Sequence, residues 1–182
     1  FDKHHSIVLA SDGRAFAWGD NTHGQLGLGD TEDRLSPKEI KFFADKNIIQ
    51  ISLGKSHSLA LDSEGQVYSW GWNEGGQLGL GDKKDRYEPT LIPYFKENGI
   101  FITQLTTGYK HNLALDKNGK VYSWGWNEYG QLGLVSPQVQ KTLAESQGII
   151  RKHDISDYQE SGGYKISNNV LKIFEDPHNK LT

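Results

Sequence analysis

Three histidines recur at a nearly constant interval, and they are the residues of this sequence best suited to acid–base or metal chemistry. His5, His57 and His111 are 52 and 54 residues apart. An imidazole can transfer protons near neutral pH or bind a metal ion. A catalytic residue has no reason to appear three times at a fixed spacing. We therefore expect each histidine to make the same structural hydrogen bond within its own repeat.

Two further motifs could bind ligands, but each lacks residues that this chemistry needs. Gly54-Lys55-Ser56 resembles the end of a phosphate-binding loop, yet that loop needs a glycine where Ile49 stands. The segment from Asp62 to Gly65 lacks the alternating acidic ligands and the closing glutamate of a calcium loop. The sequence has no Cys, which excludes disulfides and thiolate metal sites. We expect no catalytic residue, no metal and no cofactor, and hence no enzyme activity.

The histidines belong to a repeat unit that is clearest from His57 to Asp82. The unit recurs from His111 to Leu134, and a looser copy runs from His5 to Asp30. A fixed period of this length is typical of a repeat architecture. We assign the residues that recur once per unit to the structural core: His5, His57, His111, Trp18, Trp70 and Trp124.

Each unit predicts a β-hairpin. In the second copy the apolar run Leu59–Leu61 and the β-rich run Val67–Trp70 are joined by a short turn that ends at Gly65. Small residues, Ser58 and Ala60, alternate with the leucines. A strand without the usual apolar/polar alternation is expected to be covered on both faces. The unit therefore predicts small sheets that pack against neighbouring sheets.

A glycine-rich stretch follows each hairpin, at Gly24–Gly29, Gly75–Gly81 and Gly130–Leu134. Glycines at this density indicate tight bends and close backbone approach. We predict that this stretch links one small sheet to the next.

The segments Gly29–Pro37 and Gly81–Pro89 share the frame Gly-Asp-x-x-Asp-Arg-x-x-Pro. One interpretation is a solvent-facing loop in which the arginine pairs locally. The other is a rim that binds a partner, because loops on rigid scaffolds often carry function. The candidate partner-binding residues are Asp30, Asp33, Arg34, Asp82, Asp85, Arg86 and Tyr87.

Across residues 1–135 the motifs Gly-x-x-His, Leu-Ala-Leu-Asp-x-x-Gly, Val-Tyr-Ser-Trp-Gly and Gly-Gln-Leu-Gly-Leu-Gly-Asp resemble the regulator of chromosome condensation repeat. The resemblance implies an all-β fold, a partial β-propeller with about three of the usual seven four-stranded blades. We divide it into repeats 1–30 (partial), 31–82 and 83–135. Propellers close with about 4 to 8 blades. Because the sequence also opens inside a repeat, we expect it to be a segment of a longer protein.

The family includes a plant ultraviolet-B photoreceptor whose sensing tryptophans follow a Gly-Trp-Arg-His pattern. Here the matching positions read Gly54-Lys55-Ser56-His57 and Gly108-Tyr109-Lys110-His111. The tryptophan is missing from both, so light sensing is not predicted.

The repeat pattern breaks after residue 135. For residues 136–182 we predict a short helix over 137–147, followed by an irregular tail or insertion with a weak strand pair around Ile166 and Val170–Phe174.

Charge and hydropathy exclude several classes of partner. A net charge of −3 gives no strong attraction to nucleic acid, and no apolar stretch is long enough to span a membrane. We expect an intracellular protein, whether cytoplasmic, cytoskeletal or nuclear. The predicted function is a non-enzymatic protein–protein interaction scaffold or structural subunit without a small-molecule substrate. The resemblance implies two alternatives, namely guanine-nucleotide exchange on a small nuclear GTPase and the recognition or regulatory part of a large ubiquitin ligase.

Overall fold

The computed structural model describes residues 4–133 and 151–153, which form three antiparallel sheets. The first sheet contains β1 (His5–Leu9), β2 (Ala15–Gly19) and β3 (Arg34–Glu39). The second contains β4 (Ile48–Leu53), β5 (His57–Asp62), β6 (Val67–Gly71) and β7 (Arg86–Leu91). The third contains β8 (Ile102–Thr107), β9 (His111–Asp116), β10 (Val121–Gly125) and β11 (Arg151–His153). A 3-10 helix (Lys41–Phe43) and a short α-helix, α1 (Pro93–Glu97), lie between successive sheets. The expected all-β class is confirmed.

The predicted hairpins are present in all three units, as β1–β2, β5–β6 and β9–β10. The turn of the second hairpin is closed by Asp62, whose Oδ1 accepts hydrogen bonds from the backbone N–H groups of Glu64 and Gln66, both at 2.9 Å. Gly65 has a φ of 74°, which a glycine adopts at little steric cost. The residues that close this turn are therefore all local in the sequence.

The core is divided into two layers, one on each side of the second sheet. All six residues of β5 are buried, as the small side chains in this strand predicted. Ala60 belongs to the layer against the first sheet, while Leu59 and Leu61 belong to the layer against the third. The first layer is formed by Ala15, Ala17, Leu26, Ile40, Phe43, Ile48, Ala60, Tyr68 and Trp70. The second is formed by Leu59, Leu61, Val67, Ile92, Phe95, Ile102, Leu105, Ala114, Tyr122 and Trp124.

The strands β4 and β8, which open the second and third sheets, are joined by a side chain. The Nε2 of Gln50 donates to the carbonyl of Leu105 at 2.7 Å, and its Oε1 accepts from the N–H of Leu105 at 2.9 Å. The hydroxyls of Ser52 and Thr107 lie 3.0 Å apart. β4 and β8 belong to different sheets and do not pair through their backbones. The side-chain amide of Gln50 instead bonds the backbone N–H and carbonyl of Leu105.

Two segments that were predicted to be either solvent-facing loops or a partner-binding rim end in strands. Gly29–Pro37 and Gly81–Pro89 run into β3 and β7, the outer strands of the first and second sheets. These strands contain charged residues and proline, which are typical of loops but are also tolerated in edge strands. Their sequences therefore did not predict strands. The glycine-rich stretches also differ from the expectation. Gly24–Gly29 connects β2 to β3 within one sheet and does not link one sheet to the next.

The third sheet takes its outer strand from a distant part of the chain. Arg151–His153 pairs with Val121–Ser123 of β10, although the sequence analysis placed it in the irregular segment. The frame that introduces β3 and β7 is absent before it, so no local signal indicated a strand. The predicted helix at 137–147 and the weak strands around 166–174 lie outside the described residues. Within the described residues no helix is long and apolar enough to cross a membrane.

Alkaline pH should destabilise the sheets through two buried tyrosines. The hydroxyls of Tyr68 and Tyr122 donate to Oδ2 of Asp62 and Asp116, both at 3.1 Å. Burial, followed by the charge of the neighbouring aspartate, raises the pKa of each tyrosine to about 12. The unfolded value is about 10, so this stabilisation is complete below about pH 10 and is lost as pH rises through about 12. We expect the urea midpoint to fall between about pH 9 and about pH 11. The double variant Tyr68→Phe/Tyr122→Phe should show a flatter pH dependence, and an unchanged slope would contradict this origin.

Candidate partner-binding site

The recurring histidines join neighbouring sheets. The Nε2 of His5 lies 3.1 Å from the hydroxyl of Ser58, and the Nε2 of His57 lies 2.8 Å from Oδ1 of Asn112. Each bond crosses from one sheet to the next, which corrects the expectation of a bond within one repeat. His111 takes the equivalent position in the third sheet, where burial lowers the pKa of its imidazole. His5 and His57 are buried, so their imidazoles hold sheets together and are not open to a substrate.

The recurring tryptophans make a second connection between sheets. The indole N–H of Trp70 donates to the carbonyl of Gln25 at 2.9 Å, and that of Trp124 donates to the carbonyl of Gln77 at 3.1 Å. Both acceptors lie in the glycine-rich stretch of the preceding sheet. Trp70 and Trp124 are fully buried, whereas Trp18 is only partly buried. The glycine-rich stretch is thus the surface on which the tryptophan of the next sheet packs.

The Gly-Asp-x-x-Asp-Arg frame is held by hydrogen bonds within its own loop. In the first sheet the backbone N–H of Asn21 donates to Oδ1 of Asp33 at 2.8 Å, and Nη2 of Arg34 lies 2.6 Å from Oδ2 of Asp30. Leu26 donates its N–H to Oδ1 of the same asparagine at 3.0 Å. The arginine pairs locally, as one interpretation of this frame predicted.

The second loop repeats these contacts. The backbone N–H of Asn73 donates to Oδ1 of Asp85 at 2.8 Å, and Arg86 donates to Oδ2 of Asp82 at 2.8 Å. The hydrogen bond from Arg86 holds the pKa of the Asp82 carboxyl below its ordinary value. Tyr87 is 48% exposed. The charged members of the frame therefore shape the two loops, and Asp30, Asp33 and Asp82 also contribute to their exposed surface.

A cluster of lysines and aromatic rings, which the sequence alone did not indicate, lies at the same end of the second and third sheets. The Nζ of Lys110 is 4.3 Å from the ring centroid of Trp72 and 5.1 Å from that of Trp126. The Nζ of Lys55 is 4.7 Å from the ring centroid of Tyr109. We call these five residues the lysine–aromatic cluster. Lys55, Tyr109 and Lys110 appeared in the sequence only as departures from the photoreceptor pattern, and the proximity of all five residues depends on how neighbouring sheets pack.

No group of three or more metal-binding side chains occurs within residues 4–133 and 151–153. What the described residues offer instead is a set of loops held rigidly at one end of adjacent sheets.

The three successive sheets and their cross-sheet contacts agree with a known family. A sequence profile for the RCC1-like domain matches residues 3–163, which is more than half of the chain. The chain belongs to the RCC1-like domain family. The resemblance to the regulator of chromosome condensation repeat is confirmed.

Several proteins with this domain are similar to the chain. The Ultraviolet-B receptor UVR8 of Arabidopsis thaliana is 38% identical over 129 residues, 71% of this chain and 29% of the receptor. The probable E3 ubiquitin-protein ligase HERC4 of Mus musculus is 40% identical over 131 residues, 71% of this chain and 12% of the ligase. The chain therefore spans less than a third of these relatives.

Solved RCC1-like structures share the fold. Human WBSCR16 superimposes with a TM-score of 0.69 at 29% identity, over 84% of this chain and 38% of that one. Yeast RCC1 (Prp20), solved bound to Kap60, gives a TM-score of 0.70 at 23% identity, over 86% and 36%. The expected partial β-propeller is confirmed.

The buried asparagine of this RCC1-like loop should be required for stability. Nδ2 of Asn73 donates to the carbonyls of Asp82 and Lys84 at 2.9 and 3.1 Å, and its Oδ1 accepts from the N–H of Leu78 at 2.9 Å. Asn73→Ala should lower the free energy of unfolding by about 3 kcal/mol, because buried polar groups lose their partner. Urea denaturation followed by circular dichroism measures this. Asn118→Ala, in an exposed turn, is the control and should change stability by less than about 0.5 kcal/mol. Equal midpoints for the two variants would contradict a structural role for Asn73.

Proposed function

We propose that this RCC1-like chain is a non-enzymatic interaction module that presents its loops to protein partners within a larger assembly. The observation that carries the proposal is the pair of internally held loops at one end of adjacent sheets. Each loop keeps its shape through an Asn–Asp contact and an Arg–Asp pair. A loop that is already ordered loses little conformational entropy when a partner binds.

The two loops vary where they are most exposed. Between the fixed aspartates the first loop carries Thr31 and Glu32, and the second carries Lys83 and Lys84, all four of them exposed. The same frame thus displays different charges on neighbouring sheets. We propose that these inserts, together with Tyr87, contact the partner, while Asp30, Asp33, Arg34, Asp82, Asp85 and Arg86 keep the loops in place. A rigid frame with a variable insert is suited to recognition.

The side chains able to do chemistry support a role without catalysis. His57 is buried and bonded to Asn112, and Asp62 and Asp116 accept hydrogen bonds from turns and tyrosines. Each of these groups is needed by the fold.

Site-specific photo-crosslinking in cells tests the proposal. Photoreactive benzoylphenylalanine would be introduced in place of Lys84 in the full-length protein, and in place of Lys117 as a control. Lys117 is an exposed residue of the β9–β10 turn, at the opposite end of the sheets. We expect a discrete protein adduct from position 84 and none from position 117. Equal labelling at both positions, or none at either, would overturn the proposal.

A second candidate is the recognition part of a large ligase, which the 38–40% identity to the human HERC3 and mouse HERC4 ligases favours. In that case the protein adduct from position 84 would become ubiquitylated in the presence of the full-length protein. Guanine-nucleotide exchange has no comparable support in the described residues. Accelerated nucleotide release from a small nuclear GTPase would establish it and overturn the non-enzymatic role.

A further inference from the structure

The lysine–aromatic cluster has a fixed backbone. The N–H of Lys55 donates to the carbonyl of Tyr109 at 3.1 Å, which joins the β4–β5 and β8–β9 loops. The N–H of Trp126 donates to the carbonyl of Lys110 at 2.9 Å, and the N–H of Trp72 donates to the carbonyl of Ser56 at 2.8 Å. The rings and the ammonium groups therefore stand on a rigid base formed by two adjacent sheets.

The two lysines of the cluster are held by rings and not by carboxylates. Within the described part of the chain, neither ammonium group has a carboxylate oxygen within 4.0 Å. A cation above an aromatic face keeps its charge and its N–H donors. Lys83 and Lys84 are exposed on the adjoining loop and likewise have no ion pair among these residues. Four lysines without an ion pair among the described residues therefore lie at this end of the second and third sheets, although the whole chain carries a net charge of −3.

The cluster also offers apolar surface beside its charges. Tyr109 is 51% exposed, and Tyr129, which meets the ring of Trp126 edge-on at 5.3 Å, is 80% exposed. Lysines fixed on exposed rings suit a ligand that carries both carboxylates and apolar groups. A phosphate chain without apolar groups fits this surface less well, because it would contact the lysines but not the exposed rings.

We propose that the lysine–aromatic cluster binds an extended acidic segment of a protein partner, with carboxylates on Lys55 and Lys110 and an apolar side chain on Tyr109. This inference rests on the proposed function and names its site and partner class. Both ammonium groups lie over the Tyr109 ring, 4.7 and 6.0 Å from its centroid. An extended segment places alternate side chains on one face about 7 Å apart, so an apolar residue on the Tyr109 ring has acidic residues two positions away on each side, beside the two cations.

Fluorescence anisotropy with the full chain tests the proposal. The probe is a fluorescein-labelled peptide that repeats glutamate-serine-leucine-serine, which places glutamate and leucine on the same face of an extended segment. The matched probe carries glutamine in place of each glutamate. We expect the acidic peptide to bind more tightly, with an affinity that falls as salt is added. The double variant Lys55→Ala/Lys110→Ala should lose roughly tenfold in affinity, the combined effect of two exposed charge pairs. Lys55→Arg/Lys110→Arg should retain the affinity, because arginine also binds carboxylates and stacks on rings.

Lys117→Ala is the matched control, because Lys117 also lies over a ring, that of Phe101 at 5.9 Å, but at the other end of the sheets. Its affinity for the acidic peptide should be unchanged. Equal binding of both peptides, no binding of either, or full affinity in the Lys55/Lys110 alanine variant would overturn the inference. A labelled oligo-uridine that binds more tightly than the acidic peptide would also overturn it. The crosslink from position 84 is independent of these results, so the proposed function can stand when this inference fails.

Discussion

Trp70→Ala should lower the free energy of unfolding by about 3–5 kcal/mol, which is a large share of the stability of an ordinary domain. The ring is fully buried and meets Phe43 edge-on at 5.7 Å. A Cβ added at Gly27 would lie 2.8 Å from the indole nitrogen, so the ring fills the space beside the preceding sheet's glycine-rich stretch. Truncation removes this packing and leaves a cavity between two sheets.

The positions at which hydrogen exchange increases distinguish the loss of this contact between sheets from destabilisation of the whole fold. Hydrogen exchange should increase in β5 and β6 and also in Gly24–Gly29 of the first sheet, because Trp70 donates to the carbonyl of Gln25. Trp18→Ala is the matched control, because this partly buried tryptophan has less packing to lose. We expect its effect, measured by urea denaturation with circular dichroism, to be clearly smaller. Equal losses of stability for the two variants would show that contact between sheets does not determine the role of the tryptophan.

The hairpins could be predicted from sequence because the residues that close their turns are local. Asp62, Gly65 and the flanking apolar runs lie within one short stretch, and the structure closes the turn with these residues. The outer strand β7 could not be predicted in the same way. Its proline and charges match both an edge strand and a loop, and only its position beside β6 distinguishes the two.

The cross-sheet contacts could not be predicted, because they join residues one repeat apart. The partner of His57 is Asn112, 55 positions later, and nothing near either residue indicates the pairing. The sequence indicated that the histidine was structural, but a regular spacing fits a bond within a repeat as well as a bond between repeats. The lysine–aromatic cluster could not be predicted for the same reason. Lys110 follows the third sheet's β8 and meets Trp72 of the second sheet, a contact that depends on sheet packing.

Gly54→Ala should lower the free energy of unfolding by about 3 kcal/mol, which combines overpacking with the loss of a buried hydrogen bond. A Cβ at this position would lie 2.0 Å from Cε1 of His57, and the ring cannot move freely because it is fully buried and bonded to Asn112. The glycine in the Gly-x-x-His motif is therefore explained by the space that the imidazole occupies.

Gly108→Ala provides the control for Gly54→Ala because the local geometry is the same and the surroundings differ. A Cβ there would lie 2.1 Å from Cε1 of His111, yet this imidazole is only half-buried and can turn toward solvent. We expect a loss of about 1 kcal/mol for Gly108→Ala, because the ring can relieve the clash. Urea denaturation of both variants measures the difference. Equal losses would mean that the clash alone sets the cost, whereas a larger loss at Gly54 would show that the hydrogen bond between sheets holds the histidine in place.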